Sequence, residues 1–188
     1  MSAPWTARSL KLTCRGTYCL LVVATLLDLL TPELLHNVDT FISSCQTYEG
    51  GFACATHLFP TGESPAQAEA HGGYSSCSLL AYFLLSSVKS AHDSESSLGA
   101  EWPKPIDVEA AIRWSVMMQG EAIEAGGFRG RSNKLVDGCY SWWVGGGVPV
   151  LGELSRRERQ KKGKSAEVHR QPLFNHGKLP CSQSESSS

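Results

Sequence analysis

Residues 131–143 read RSNKLVDGCYSWW, which places Arg131, Lys134, Asp137, Cys139 and Tyr140 within one short stretch. A thiolate and a carboxylate are both good zinc ligands, and a catalytic zinc needs three protein ligands and one open position. Asp137 and Cys139 are two residues apart, so on one ideal helix they point to different sides. Gly138 between them permits a turn just ahead of a helix, where both converge. An open metal position suits an incoming thiol, because coordination deprotonates a group whose ordinary pKa is about 8.5. Arg131, Lys134 and the Tyr140 hydroxyl offer complementary chemistry, as fixed donors that stabilise negative charge growing on a departing oxygen. Each residue also has a plain alternative. An Asp-x-Cys pair recurs by accident, and cations in a glycine-bordered loop are ordinarily solvated. Trp142 and Trp143 are ordinarily core, and His71 beside Gly72 and Gly73 ordinarily hydrogen-bonds a carbonyl.

Side chains of this kind work only if rigid elements hold them together. Three segments share a pattern of small turn, tyrosine and apolar helix: RGTYCLLVVATLL from Arg15, HGGYSSCSLLAYFLL from His71 and DGCYSWWVGGGVPVL from Asp137. Their common tyrosines are Tyr18, Tyr74 and Tyr140. Two of the segments are followed by a second helical pattern. Thr31 and Pro32 supply an N-cap and a first-turn proline ahead of Leu34, Leu35, Val38, Phe41, Ile42 and Cys45. Asp107 likewise precedes Val108, Ala111, Ile112 and Val116. Both second helices end at a glutamine, Gln46 or Gln119, and Gly-Gly-Phe follows each, at 50–52 and 126–128. The unit is helix, helix, glycine turn. Such pairs bury their apolar faces only by stacking on neighbours, which predicts an all-α solenoid or closed ring of hairpins.

Composition excludes little beyond bulk electrostatic partners. Lys and Arg total 17 against 18 Asp and Glu, a formal net charge of −1, so nucleic acid and anionic lipid have no general attraction for the chain. Seven cysteines without a C-x-x-C pair indicate neither a disulfide framework nor a zinc ribbon, and fit a reducing, cytoplasmic setting. The run Tyr18–Leu30 is interrupted by Asp28 and is shorter than the roughly 20 apolar residues of a membrane span, so it is expected to be a buried helix, without stable membrane insertion. Residues 53–70 and the serine-rich stretch from Ser86 to about Ala100 interrupt the repeat as surface loops. From residue 152 the chain is basic and then serine-rich, and is expected to be a disordered tail to 188. Residues 1–14 are expected to be an unrelated or disordered N-terminus.

The stretches RGTYC (15–19), CQTYEGGF (45–52), EAHGGYSSC (69–77) and GGFRGRSNKLVDGCYSWW (126–143) resemble the β subunits of protein farnesyltransferase, over residues 15–151 and in the right order. The resemblance implies an α/α barrel (toroid) of helix-hairpin repeats, of which only part of the ring is present. It implies a prenyltransferase α subunit as heterodimer partner, farnesyl diphosphate as donor, and an acceptor cysteine in a C-terminal CaaX-type sequence. It also implies zinc, with Asp137 and Cys139 as two of three protein ligands. Lys134 and Tyr140 would be catalytic, and together with His71 and Arg131 would hold the diphosphate. Arg15, Tyr18, Tyr74, Cys77 and Trp143 would line the isoprenoid pocket. Cys14, Cys19, Cys45, Cys54 and Cys181 are left as packing or surface residues.

The chain departs from that pattern at both ends. The family's third zinc ligand is a histidine in a later repeat, which the match does not reach, and neither His169 nor His176 has a similar context. About half of a β subunit is expected to be present, a fragment inactive as it stands. Two other readings stay open. A geranylgeranyltransferase β subunit has the same zinc logic, although KLVDGCY and EAHGGY favour the farnesyl enzyme. A non-catalytic α-helical repeat that only binds a partner would retain the fold without the chemistry.

Overall fold

The computed structural model describes residues 13–55, 68–91 and 103–168. The structure divides into two units, Met1–Ser155 and Arg156–Ser188. The first contains nearly all of the fold.

The helices are α1 (Cys14–Leu26), α2 (Pro32–Leu35), α3 (Val38–Ser44), α4 (Gly72–Ala91), α5 (Val108–Met117), α6 (Gly138–Tyr140) and α7 (Gly147–Val168). A 3-10 turn at Ala122–Glu124 and a π-helical turn at Ser141–Gly145 complete the order. Among the described residues, extended pairing is confined to isolated bridges, so the architecture is all-α, as the repeat pattern predicts.

The repeat is visible in its turns. Gln46 bridges to Phe52, and Gln119 to Phe128, so each Gln…Gly-Gly-Phe segment closes on itself in the same way. Gly50 sits at φ 104°, open to glycine and strained for other residues. A Cβ there would also strike the Ala110 carbonyl of α5. The turn can therefore lie flat on the next helix only with glycine at this position.

Capping explains where the helices start. Thr31 accepts from the Leu34 N–H with Pro32 following, and Asp107 accepts from the Ala110 N–H. The second helix of the first repeat does not run unbroken to Cys45. Asn37 adopts a left-handed conformation at φ 61° and splits it into α2 and α3. On α5 the inward residues are Val108, Ala111, Trp114 and Ser115, whereas Val116 faces out.

α1 packs along α4, and the main core gathers Cys14 and Leu21 of α1, Ile42 of α3, Leu79 and Leu85 of α4, Val108 of α5, and Leu151 and Leu154 of α7. A second, smaller cluster of Ala70, Trp114, Met118 and Val144 supports Phe128 and Tyr140. The expectation that Tyr18–Leu30 forms a buried helix holds only in part. Leu21 is 1% exposed, but Leu20 is 50% and Leu26 79%, because α1 meets neighbours on one side among the described residues. No described helix is long and apolar enough to cross a membrane.

Two boundaries shift. Helix α4 continues to Ala91, past the Ser86 start expected for a loop, with the Ser86 and Ser87 hydroxyls satisfied by the carbonyls of Tyr82 and Phe83 one turn back and Leu85 and Val88 packed in or against the core. The tail expected to be disordered from residue 152 is helical as far as Val168. Leu151 and Leu154 anchor its first turns in the core, a contact that local composition does not disclose. The N-terminal segment up to residue 12, most of the 53–70 loop, the rest of the serine-rich stretch, and His169, His176 and Cys181 lie outside the described residues.

Candidate functional site

Tyr140 is the centre of the site, and two glycines make room for it. A Cβ on Gly130 would overlap the Tyr140 ring, and one on Gly72 would come within 2.9 Å of it. The same two glycines are joined by a backbone bond, Gly72 N–H to Gly130 O at 2.8 Å. The tyrosine is thus clamped where the start of α4 meets the loop carrying Arg131.

Its hydroxyl lies 3.1 Å from His71 Nε2, and the other ring nitrogen decides the direction of that bond. The Gly73 N–H donates to His71 Nδ1 at 3.1 Å, so in the neutral ring Nε2 carries the hydrogen and donates to the Tyr140 oxygen. The phenolic hydrogen is then free to be donated elsewhere. Burial holds the His71 pKa below its ordinary value, and the Arg131 charge adds to this, while Glu69 opposes it. The neutral ring is therefore the favoured form at neutral pH. Burial also raises the Tyr140 pKa, which keeps the hydroxyl protonated.

Arg131 is held by an ion pair with Glu69 at 3.0 Å, with both side chains roughly half exposed. Its charge reaches His71 and Tyr140. Lys134 is exposed on the same loop, just after Asn133 at a left-handed φ of 57°. Arg15, at the start of α1, acts electrostatically on both His71 and Tyr74, so α1, α4 and the 130–140 loop contribute to one cationic and aromatic cluster.

Asp137 and Cys139 do converge at a helix start. Asp137 is the N-cap of α6 and accepts from the Cys139 N–H at 2.9 Å. That bond and one from the Cys139 thiol lower the Asp137 pKa, while desolvation and the Asp137 carboxylate raise that of Cys139. The carboxylate and thiol therefore adjoin, and both residues are exposed. As a donor pair they suit zinc, which takes oxygen and sulfur ligands together. Among the described residues no group of three or more His, Cys, Asp or Glu side chains is arranged to hold a metal.

The remaining sequence candidates fall on either side of the cluster. Tyr74 stacks at a tilt on His71, ring centroids 5.1 Å apart, and its hydroxyl bonds to Cys54. Tyr18 packs against the main core, and Cys77 is buried within it, its pKa pushed up to about 11 by desolvation. Trp142 and Trp143 do not join the core, being 73% and 37% exposed, because the π-helical turn directs Val144 inward instead. Of the cysteines left as packing or surface residues, Cys14 and Cys45 are buried and Cys19 is exposed. Glu69, Glu49 and Ser132 were not singled out from the sequence. Glu69 lies inside EAHGGY, two residues before His71, and that adjacency was the available signal.

The prenyltransferase α/α-toroid domain model matches residues 6–179. The chain is 41% identical over 140 residues to the protein farnesyltransferase subunit beta of Pisum sativum, covering 74% of this chain and 27% of the relative. Against the subunit of the same name from Pyricularia oryzae it is 34% identical over 174 residues, covering 85% and 29%. It is 30% identical over 141 residues to the geranylgeranyl transferase type-1 subunit beta of Arabidopsis thaliana, covering 73% and 32%. The chain therefore spans about a quarter to a third of the length of these relatives, less than the half expected from the sequence alone.

Proposed function

The chain belongs to the prenyltransferase α/α-toroid family, and from that premise we propose that it serves as a protein farnesyltransferase β subunit. In this reading it supplies part of the barrel that, once complete and in partnership with an α subunit, transfers farnesyl from farnesyl diphosphate to a cysteine near the C-terminus of a protein substrate. The observation that carries the reading is the Tyr140 hydroxyl held by His71 beside Arg131, in a chain 41% identical over 140 residues to a farnesyltransferase subunit beta.

The reaction separates diphosphate from an allylic carbon, so negative charge grows on the bridging oxygen as the bond breaks. Donors aimed at that oxygen before the reaction lower the barrier, because they need no reorganisation when the charge appears. The Tyr140 hydroxyl suits this task. His71 supplies its oxygen with a hydrogen bond, and its own hydrogen is free to be donated to the ligand. Lys134 brings a mobile cation, and Arg131 a planar guanidinium able to grip two phosphate oxygens at once. Arg15, Tyr18, Tyr74, Cys77 and Trp143 would line the isoprenoid side. Asp137 and Cys139 would be two of the three protein ligands of Zn2+, which would supply deprotonation of the substrate thiol near neutral pH.

The test is prenyl transfer to a peptide ending in a CaaX-type sequence, with the chain completed by the remaining toroid repeats of a β subunit, co-expressed with a prenyltransferase α subunit and offered labelled farnesyl or geranylgeranyl diphosphate, while the chain alone should transfer nothing. Transfer of farnesyl in preference, with Lys134→Ala slower by roughly a hundredfold as for one lost transition-state donor, supports the reading. Preference for geranylgeranyl would assign the chain to the sister activity. Association with the α subunit without prenyl diphosphate binding would leave a helical binding module.

A further inference from the structure

Glu49 lies in the first glycine turn, directly before Gly50 and Gly51. Its two carboxylate oxygens reach two other segments. Oε2 accepts from the backbone N–H of Ala70 at 2.9 Å, and Oε1 accepts from the Ser132 hydroxyl at 3.1 Å. Ala70 is 1% exposed and directly precedes His71, while Ser132 lies between Arg131 and Asn133. One carboxylate therefore ties the histidine segment to the loop that carries both cations.

The second glycine turn has no counterpart. The residue before its Gly-Gly is Ala125, and the nearby Glu124 is occupied within its own turn by Arg129 and the backbone N–H of Glu121. Both turns thus have the Gln-to-Phe closure, but among the described residues a carboxylate bridging to distant segments is seen in the first alone. Closure of the turn does not need Glu49, since Gln46 makes its own bonds to Gly50 and Asp107. The bridge lies instead where the cationic loop has to be set at a fixed distance from His71 and Tyr140.

We propose that Glu49 is a positioning residue for anion binding, setting the Ser132 loop so that Arg131 and Lys134 face the same diphosphate as His71 and Tyr140. This rests on the diphosphate reading above. Ser132→Ala cuts only the loop arm of the bridge, and Glu49→Ala cuts both arms. Glu49→Gln keeps a carbonyl oxygen for the Ala70 N–H and an amide that can donate to the Ser132 oxygen.

The experiment has two arms, both on the full chain: titration with farnesyl diphosphate and with inorganic diphosphate, and hydrogen exchange of the amides of residues 130–136. Ser132→Ala should weaken diphosphate binding about tenfold, as for loss of a hydrogen bond to a charged group. In the Glu49→Ala background the same change should have almost no further effect, since the partner is already gone. Glu49→Gln should restore most of the affinity. Exchange in the loop should quicken in both alanine variants, and much less in Glu49→Gln. Unchanged affinity and exchange in Ser132→Ala, or effects of the two alanine changes that multiply, would overturn the proposal. If the parent chain binds neither probe, the diphosphate reading falls, while the exchange arm still decides whether Glu49 holds the loop.

Discussion

Replacing Gly130 by alanine tests the construction of the site most directly, because it adds a single methyl group at its tightest point. The new Cβ would overlap the Cζ, Oη and Cε1 atoms of Tyr140. The ring cannot simply retreat, since it packs against the cluster of Ala70, Trp114, Met118 and Val144, and its hydroxyl is 3.1 Å from His71. The backbone is pinned as well. Gly130 O accepts from Gly72 N at 2.8 Å, and Arg129 bridges to Val136. Overpacking costs about 1–3 kcal/mol and a broken hydrogen bond about 1 kcal/mol, so the variant should lose about 2–4 kcal/mol. For a chain of this size that is a fall in Tm of about 5–15 °C by thermal denaturation. Gly152→Ala is the control. Nothing lies within 4 Å of a Cβ there, and at this exposed position in α7 alanine should stabilise by about 0.5–1 kcal/mol. If Gly130→Ala melts with the parent and keeps its diphosphate affinity, the clamp around Tyr140 has been misread.

His71 should titrate below the ordinary histidine value of about 6.5, followed by NMR of its ring C–H resonances. Its folded pKa is lowered, mainly by burial, so its contribution to stability is fully present above the unfolded pKa and is lost as pH falls through the folded value. A titration above 6.5 would refute the tautomer argument. Asp137→Ala should lower the urea midpoint through loss of the cap on Cys139 N–H, and Asp137→Asn much less, because asparagine caps equally well. Equal losses would mean that charge, not capping, is the main local role. Leu21→Ala should destabilise by about 2–5 kcal/mol, and Leu20→Ala by less than about 0.5 kcal/mol, since one is buried and the other half exposed on the same helix. Similar effects at both positions would show that α1 is covered on both sides.

Local rules suffice for much of this molecule, and they are legible in the sequence. Thr31 with Pro32, and Asp107, start helices where capping chemistry says they should. The Gln…Gly-Gly-Phe spacing encodes a turn that closes by the same bridge twice, and Gly138 between Asp137 and Cys139 marks the helix start that brings carboxylate and thiol together. Each of these depends on residues within a few positions of one another, so periodicity and turn chemistry are enough to find them. What the sequence alone did not determine depends on distant partners. Tryptophans 142 and 143 face outward because a π-helical turn presents Val144 to Trp114 and Met118 instead. Half of the apolar run in α1 is exposed because, among the described residues, neighbours cover only one side. The tail stays helical past residue 152 because Leu151 and Leu154 reach the core. The two-armed bridge of Glu49 joins positions 21 and 83 residues away. Hydrophobic pattern records that a residue seeks burial, but which atoms meet it is set by the packing of segments far apart in the chain, and only the tertiary structure decides that.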